Sequence, residues 1–337
     1  MAIDPLAALD FDQWVPPATV NRRSPREVFV TDHVRLSADE FAVAVRIAPG
    51  HPLWSDQRAP CHDPLALTEA FRQAFVVIRH GYLDVQRGTP SAVQHVTLDV
   101  SDLAAFRADA GTPLQGVVKV RVTQSDDSFD IAGDFLVDAV PAMSLSFSSI
   151  LFARDYYREI RDYQRSRRAV GTGAAPEAKP VDPESVGRGD PANVVIGPAV
   201  GPGRYPLLVD RTHPSFFDRD YDHIPASLLI EAMRQSALLS AAEAGLNAAG
   251  TALTRAELDF GIFVETDVPA ECAVSVTGRT DPATGRTDPA TGRTESVAAD
   301  VGIDQGGVRV ASGSLELTGP AGHTEPTGPT GPAGPNA

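Results

Sequence analysis

The chain states nearly the same thing twice. His51-Pro52 is followed by Glu69-Ala70-Phe71-Arg72-Gln73, and His213-Pro214 by Glu231-Ala232-Met233-Arg234-Gln235, with 162 positions separating the copies at both ends. Between these anchors Trp54 and Asp56 fall opposite Phe216 and Asp218. Such spacing marks an internal duplication, which restricts the chain to two like units, each with its own core. Each copy also sets a Glu, an Arg and a Gln, groups costly to bury, on an otherwise apolar segment.

At 337 residues there is room for two ordinary domains, and 42% hydrophobic with 22% charged residues is the balance of soluble globular protein. No apolar run approaches the roughly 18 residues that a spanning helix needs. Met1-Ala2-Ile3-Asp4-Pro5 has neither the basic region nor the hydrophobic core of a secretory signal, so the chain reads as cytoplasmic, with no membrane partner. A formal charge of −15 argues against a nucleic-acid partner, because phosphate contacts need a basic surface. Cys61 and Cys272 lie in different copies and outside any metal-binding spacing, so no metal, cofactor or disulfide is implied.

The pattern predicts a first domain over residues 20–152 and a second over 193–318. Candidate strands fall near 27–31, 41–47, 93–100, 116–123, 129–137 and 143–152, then 193–196, 205–209, 254–264, 272–277, 296–303 and 308–317. One helix is expected in each copy, from about Pro64 to His80 and from about Ala226 to Gly245. Residues 153–192 read as an arginine-rich segment, Arg154 to Arg168, able to form a short helix with a solvated face, and then a flexible Pro/Gly/Ala linker from about Ala169 to Pro191. The heptad beginning at Thr277, repeated from Thr284, reads as an expanded hairpin loop, and residues 319–337 as a disordered tail.

Apolar residues surround most of both helices, which marks rods wrapped by sheet. Glu231 lies three residues from Arg234 and four from Gln235, and Glu69, Arg72 and Gln73 repeat the spacing, so each set shares one face. Two readings stand: a buried ion pair that fixes packing, or a polar site beside the positive end of a helix, where an oxyanion can be held.

The helix-opening Pro225 followed by Glu231-Ala232-Met233-x-Gln235 is similar to hotdog-fold acyl-carrier-protein dehydratases, and the doubled arrangement with Arg in both helices resembles the A-factor synthase family. The likeness includes Val20-Asn21-Arg22-Arg23, His62-Asp63-Pro64-Leu65, Tyr157-Arg158-Glu159-Ile160-Arg161, Phe216-Phe217-Asp218 and Asp222-His223-Ile224-Pro225. It implies an α+β double hotdog: two tandem domains, each a long central helix wrapped by an antiparallel β-sheet. It implies an acyltransferase that condenses a β-ketoacyl thioester, carried on acyl carrier protein or coenzyme A, with dihydroxyacetone phosphate, giving a precursor of a γ-butyrolactone or butenolide signal. The family's functional positions map to Glu69, Glu231 and Arg234. The sequence departs from the family at Asn21, Arg219 and Ala226, where His, His and Gly are expected.

On this basis Glu231 is expected to act as general base, Arg234 to hold the acceptor phosphate or the thioester, and Glu69 with Arg72 to form a second site or a structural relic. Arg72, Gln73, Gln235, His62 and His223 are the candidate substrate-binding residues, the two histidines reading also as loop residues that order their turns. Burial raises a Glu pKa and a neighbouring Arg lowers it, and sequence does not decide between them. Cys61 beside His62 offers a weaker nucleophilic option. The alternatives are a double-hotdog thioesterase or hydratase, and an inactive ligand-binding homologue; a homodimer is a further expectation.

Overall fold

Two antiparallel sheets, one per copy, meet edge to edge. The computed structural model describes residues 5–108, 111–167, 178–243, 246–280 and 294–320. The first copy contributes β1 (Val30–Arg35), β2 (Glu40–Ile47), α1 (Leu65–Gly81), β3 (Ser91–Val100), β4 (Leu114–Ser125), β5 (Ser128–Val137) and β6 (Val140–Leu151), with α2 (Arg154–Ser166) following. The second contributes β7 (Arg204–Pro206), α3 (Ala226–Glu243), β8 (Ala252–Phe260), β9 (Ala270–Thr280), β10 (Thr294–Gln305) and β11 (Val308–Pro320). The order across the sheet is β1-β2-β4-β5-β6-β3-β8-β11-β10-β9-β7. Outward from the centre, β3-β6-β5-β4-β2 is matched by β8-β11-β10-β9-β7. At the junction His95 to Asp99 pair antiparallel with Asp259 to Arg255, so the expected double hotdog closes through backbone hydrogen bonds.

Strand alternation puts one face on each helix. In β4, Val118, Val120 and Val122 are buried while Lys119, Arg121 and Thr123 face outward. Phe71 and Phe75 of α1 meet Phe147 and Phe129 with ring centroids 5.3 Å apart. Gly133 of β5 lets the sheet close on the helix, because a Cβ there would stand 3.0 Å from the Phe71 ring. α3 is buried along nearly its whole length, from Leu228 to Ala241. Among the described residues no helix is long and apolar enough to cross a membrane.

Three expectations change. The segment 27–31 is not all strand: Ser24 caps a 3-10 turn over Pro25–Glu27, and pairing begins at Val30. Residues 193–196 form no strand, only the bridge Ile196–Leu207. The linker expected to be flexible up to Pro191 is built structure from residue 178 onward, with 3-10 turns at Pro183–Val186 and Pro191–Asn193 capped by Asp182 and Asp190, and with Arg188 fully buried. The cause is a second register of the duplication. Pro17, Val20 and Pro25 lie 166 positions before Pro183, Val186 and Pro191. Val30 pairs with Val45 as Ile196 pairs with Leu207, so the second copy has four fewer residues between the partners and its β1–β2 hairpin shrinks to a bridge. Asn21 and Gly187, which end the first turn of each set, are both left-handed (φ 59° and 69°), a conformation Asn and Gly tolerate. Residues 168–177, 281–293 and 321–337, which hold the start of the linker, most of the heptad loop and most of the tail, lie outside the described residues; Gly319 and Pro320 complete β11.

α2 is more than a solvated face. Arg161 is buried, its two terminal nitrogens each 2.8 Å from an oxygen of Glu265, and its guanidinium lies 4.9 Å from the Phe263 ring. The copies also cap each other. Asp218 accepts from the Arg23 and Ser24 amides (2.6 and 2.9 Å), and Asp56 accepts from the Asp190 amide and Asn193 Nδ2 (3.0 and 2.8 Å). Asp56→Ala and Asp218→Ala are each expected to cost about 1–2 kcal/mol, adding to within about 0.5 kcal/mol in the double variant, as measured by urea unfolding.

Candidate functional site

Each expected pair has a third member that the sequence reading left without a role. Glu69 is clasped by Arg72 through Nε to Oε2 (2.8 Å) and Nη2 to Oε1 (2.7 Å), by Gln73 Nε2 (2.7 Å) and by Arg22 Nε (3.0 Å). Glu231 is clasped the same way by Arg234 (2.9 and 2.6 Å), Gln235 (2.6 Å) and Arg188 Nε (2.9 Å). Each upstream arginine also reaches across the molecule: Arg22 Nη1 donates to the Ser215 carbonyl, and Arg188 Nη1 to the Leu53 carbonyl. Arg22-x-Ser24-Pro25-x-x-Val28 and Arg188-x-Asp190-Pro191-x-x-Val194 carry the signal for these residues, hidden by the change of register from 166 to 162.

Burial, the largest single influence on Glu69, pushes its pKa up, yet Arg22, Arg72 and the hydrogen bonds from Arg72 and Gln73 outweigh it and hold the carboxyl at about 2. Glu231 is likewise raised by burial and brought down to about 2 by Arg188 and Arg234. Both are therefore ionised and already hydrogen-bonded on both oxygens. Gln73 and Gln235, expected to bind substrate, are tied to backbone instead: Gln73 bridges the Glu27 carbonyl and Phe29 amide, Gln235 the Asn193 carbonyl and Val195 amide. His51 and His213 are turn formers, each Nδ1 accepting from two following amides.

The symmetry ends at the surface. A cavity of about 510 Å³ opens where the Glu69 face of α1 meets the second copy's loop from Arg219 to Ser227, with Tyr157 of α2 on the same wall. Glu69, Arg72 and His223 line it, whereas Glu231, Arg234, Gln73, Gln235 and His62 do not. Glu231 and Arg234 are 0% and 1% exposed, so the pair expected to work on substrate is sealed. His62 opens α1 beside that sealed pair, its amide donating to the Phe106 carbonyl. A smaller apolar cavity of about 60 Å³, walled by Phe71, Val96, Leu145, Phe147 and Ile230, shares Glu69 and Arg72 with the large one.

Two polar devices face the cavity. His223 Nδ1 lies 2.6 Å from Asp222 Oδ1, and Asp222 also accepts from the Tyr157 hydroxyl (3.0 Å) and Arg161 Nε (3.4 Å). Burial raises the Asp222 pKa, but His223, Tyr157 and Arg161 together carry it well below the usual carboxylate range. An ionised Asp222 makes Nδ1 the protonated ring nitrogen and leaves the Nε2 lone pair free. The second device is the start of α3, where the Leu228 and Leu229 amides turn to the Pro225 carbonyl and the Ala226 and Ser227 amides have no acceptor within the helix. Cys61 is buried outside the cavity wall, and burial and Asp63 outweigh a hydrogen bond from Gln57 to push its thiol up to about 12, so it is no nucleophile near neutrality. Among the described residues no cluster of His, Cys, Asp or Glu is able to hold a metal ion.

Glu231→Gln leaves the buried Arg188 and Arg234 with Asp63, 3.4 Å from Arg188, as a remaining counter-charge, and a loss of roughly 3–5 kcal/mol is expected by denaturant unfolding. Because the folded-state pKa of Glu231 is depressed, its stabilisation is complete above the ordinary value of 4.5 and is lost as pH falls toward about 2. Between pH 5 and 3 the stability of the parent protein is therefore expected to fall more steeply than that of Glu231→Gln.

Residues 4–135 and 171–319 match the family described as the A-factor biosynthesis hotdog domain. A 2-oxo-3-(phosphooxy)propyl 3-oxoalkanoate synthase of Streptomyces griseus subsp. griseus is 29% identical over 272 residues, covering 72% of this chain and 79% of that one. A protein of the same name from Streptomyces coelicolor is 28% identical over 294 residues, covering 79% and 88%. Among solved structures, the dehydratase domain from the CurJ module of curacin polyketide synthase superposes with a TM-score of 0.47 at 12% identity, covering 87% and 96% of the two chains. With both copies matched along most of their length, the chain belongs to the A-factor biosynthesis hotdog family.

Proposed function

We infer that the protein is an acyltransferase that condenses a β-ketoacyl thioester, presented by acyl carrier protein or coenzyme A, with the hydroxyl of dihydroxyacetone phosphate, and that the reaction runs in the cavity beside Glu69. The similarity to proteins named 2-oxo-3-(phosphooxy)propyl 3-oxoalkanoate synthase supports the reaction. The observation that carries the site is one cavity wall combining the Asp222–His223 pair, the free amides of α3 and the mouth of an apolar pocket. General base, oxyanion donors and a seat for an acyl tail are what thioester acyl transfer requires.

In this reading the β-ketoacyl tail enters the Phe71–Phe147 pocket and the thioester oxygen turns to the Ala226 and Ser227 amides. His223 Nε2 takes the acceptor hydroxyl proton as that oxygen attacks the carbonyl carbon. The tetrahedral oxyanion collapses, the carbon–sulfur bond breaks, and the leaving thiolate takes the proton from His223. Ester and free thiol result. Asp222 keeps the tautomer, and Glu69 fixes Arg72 at the wall rather than moving a proton, since a carboxylate held at about 2 is a weak base. The sealed Glu231 pair is the structural twin.

The test is incubation of the purified protein with a β-ketoacyl thioester and dihydroxyacetone phosphate, with mass spectrometry for the phosphorylated ester. Product should form only with the acceptor; thioester consumed equally by water alone would favour a thioesterase. His223→Ala should lower kcat by about 10²- to 10⁴-fold with folding unchanged, and turnover undiminished in that variant would reject the base assignment. Asp222→Asn should lower it too, through loss of the tautomer.

A further inference from the structure

The two copies differ most tellingly in the charge on the cavity wall. Glu69 is neutralised by Arg22 and Arg72, Asp220 pairs with Arg23, and Asp222 with Arg161 and His223. Two further cations on the wall, Arg79 and Arg219, have no carboxylate partner among the described residues. Arg79 is only 4% exposed, and its guanidinium spends Nη1 on Ser91 Oγ (3.0 Å) and Nε on His80 Nε2 (3.3 Å). Arg219 has its guanidinium 4.6 Å from the Tyr221 ring, and its Nε is buried without a hydrogen-bond acceptor. Hydrogen bonds and ring contacts offset part of the desolvation of these guanidinia, but among the described residues no carboxylate neutralises their charge. Crowding is visible in Arg79 itself, whose pKa falls to about 10 through burial first and then through Arg72 and Arg219.

These cations are not inherited from the duplication. At the 162-residue spacing Arg79 corresponds to Ala241 and Arg219 to Gln57, so the sealed Glu231 site has neither cation at its equivalent positions, whereas Arg72 has its counterpart in Arg234. Both additions line the cavity beside Glu69. A doubly charged ligand is what two uncompensated guanidinia with free donors match, and guanidinium forks fit phosphate oxygens.

We propose that Arg79 and Arg219, with Arg72 beside them, form a phosphate cradle that seats the phosphomonoester of the acceptor while its hydroxyl reaches His223. The proposal rests on the acyl-transfer reading for the identity of the molecule carrying the phosphate. A pantetheine donor also bears phosphate, but many bonds from its thioester, whereas the acceptor carries its phosphate a few bonds from the reacting hydroxyl, and the cations share their cavity with His223. The cradle makes Arg219 a specificity residue for phosphorylated acceptors.

The test uses Arg219→Gln and Arg79→Ala, each installing the residue that the other copy carries. Inorganic phosphate binding, followed by titration calorimetry without thioester, should weaken about tenfold to a hundredfold in each variant, the range of a lost charge-assisted hydrogen bond. In turnover, KM for dihydroxyacetone phosphate should rise by a like factor while KM for the thioester stays unchanged and unphosphorylated dihydroxyacetone reacts equally in parent and variants. Equal phosphate affinity in parent and Arg219→Gln would overturn the cradle. A rise confined to the thioester KM would overturn its assignment to the acceptor. Phosphate binding lost in the variants of a parent that forms no ester would uphold the cradle and reject the acyl-transfer reading instead.

Discussion

Everything in the centre of this molecule depends on keeping two carboxylates ionised inside apolar halves. Each is held by a bidentate arginine one helical turn away, a glutamine four residues away and a second arginine from the preceding 3-10 turns. That second arginine also donates to a carbonyl of the opposite copy, so the ion pair of one half positions the loop of the other. The cost of burying the charges is offset only when every partner is present, which is why the copies retain the same set of donors despite different surroundings.

Duplication then permits asymmetry. The clamp is satisfied in both halves, but the loops it positions differ. Around Glu231, Leu53, Gln57 and Asp63 engage Arg188, and the pair is left without solvent. Around Glu69, the Arg219 to Ser227 loop stands away from α1 and a cavity remains. In the proposed reading the closed half supports the scaffold and the open half offers chemistry, a division that a symmetric pair of sites would not make.

The fold was legible because its signals are local: strand alternation, clearest in β4, β6 and β8, and two helices apolar on most sides. The matched Glu, Arg and Gln of both helices were legible from spacing alone. What sequence could not weigh was exposure. Glu231 and Glu69 look alike in one dimension, and the base role fell to the copy that folding seals. Arg22 and Arg188 were hidden by the four residues missing from the second hairpin, which made residues 178–192 resemble a linker. His223, in the loop before the helix-opening Pro225, could be read from sequence as a residue that merely orders the turn, and only the Tyr157 and Arg161 contacts from α2 to Asp222 mark an oriented pair.

The most direct test is a crystal structure with an unreactive β-ketoacyl pantetheine analogue whose sulfur is replaced by methylene. The account predicts the acyl tail among Phe71, Leu145 and Phe147, with the carbonyl oxygen within hydrogen-bond distance of the Ala226 or Ser227 amide and His223 Nε2 beside the reacting carbon. An analogue lodged against Glu231 and Arg234, with the Glu69 cavity empty, would contradict it.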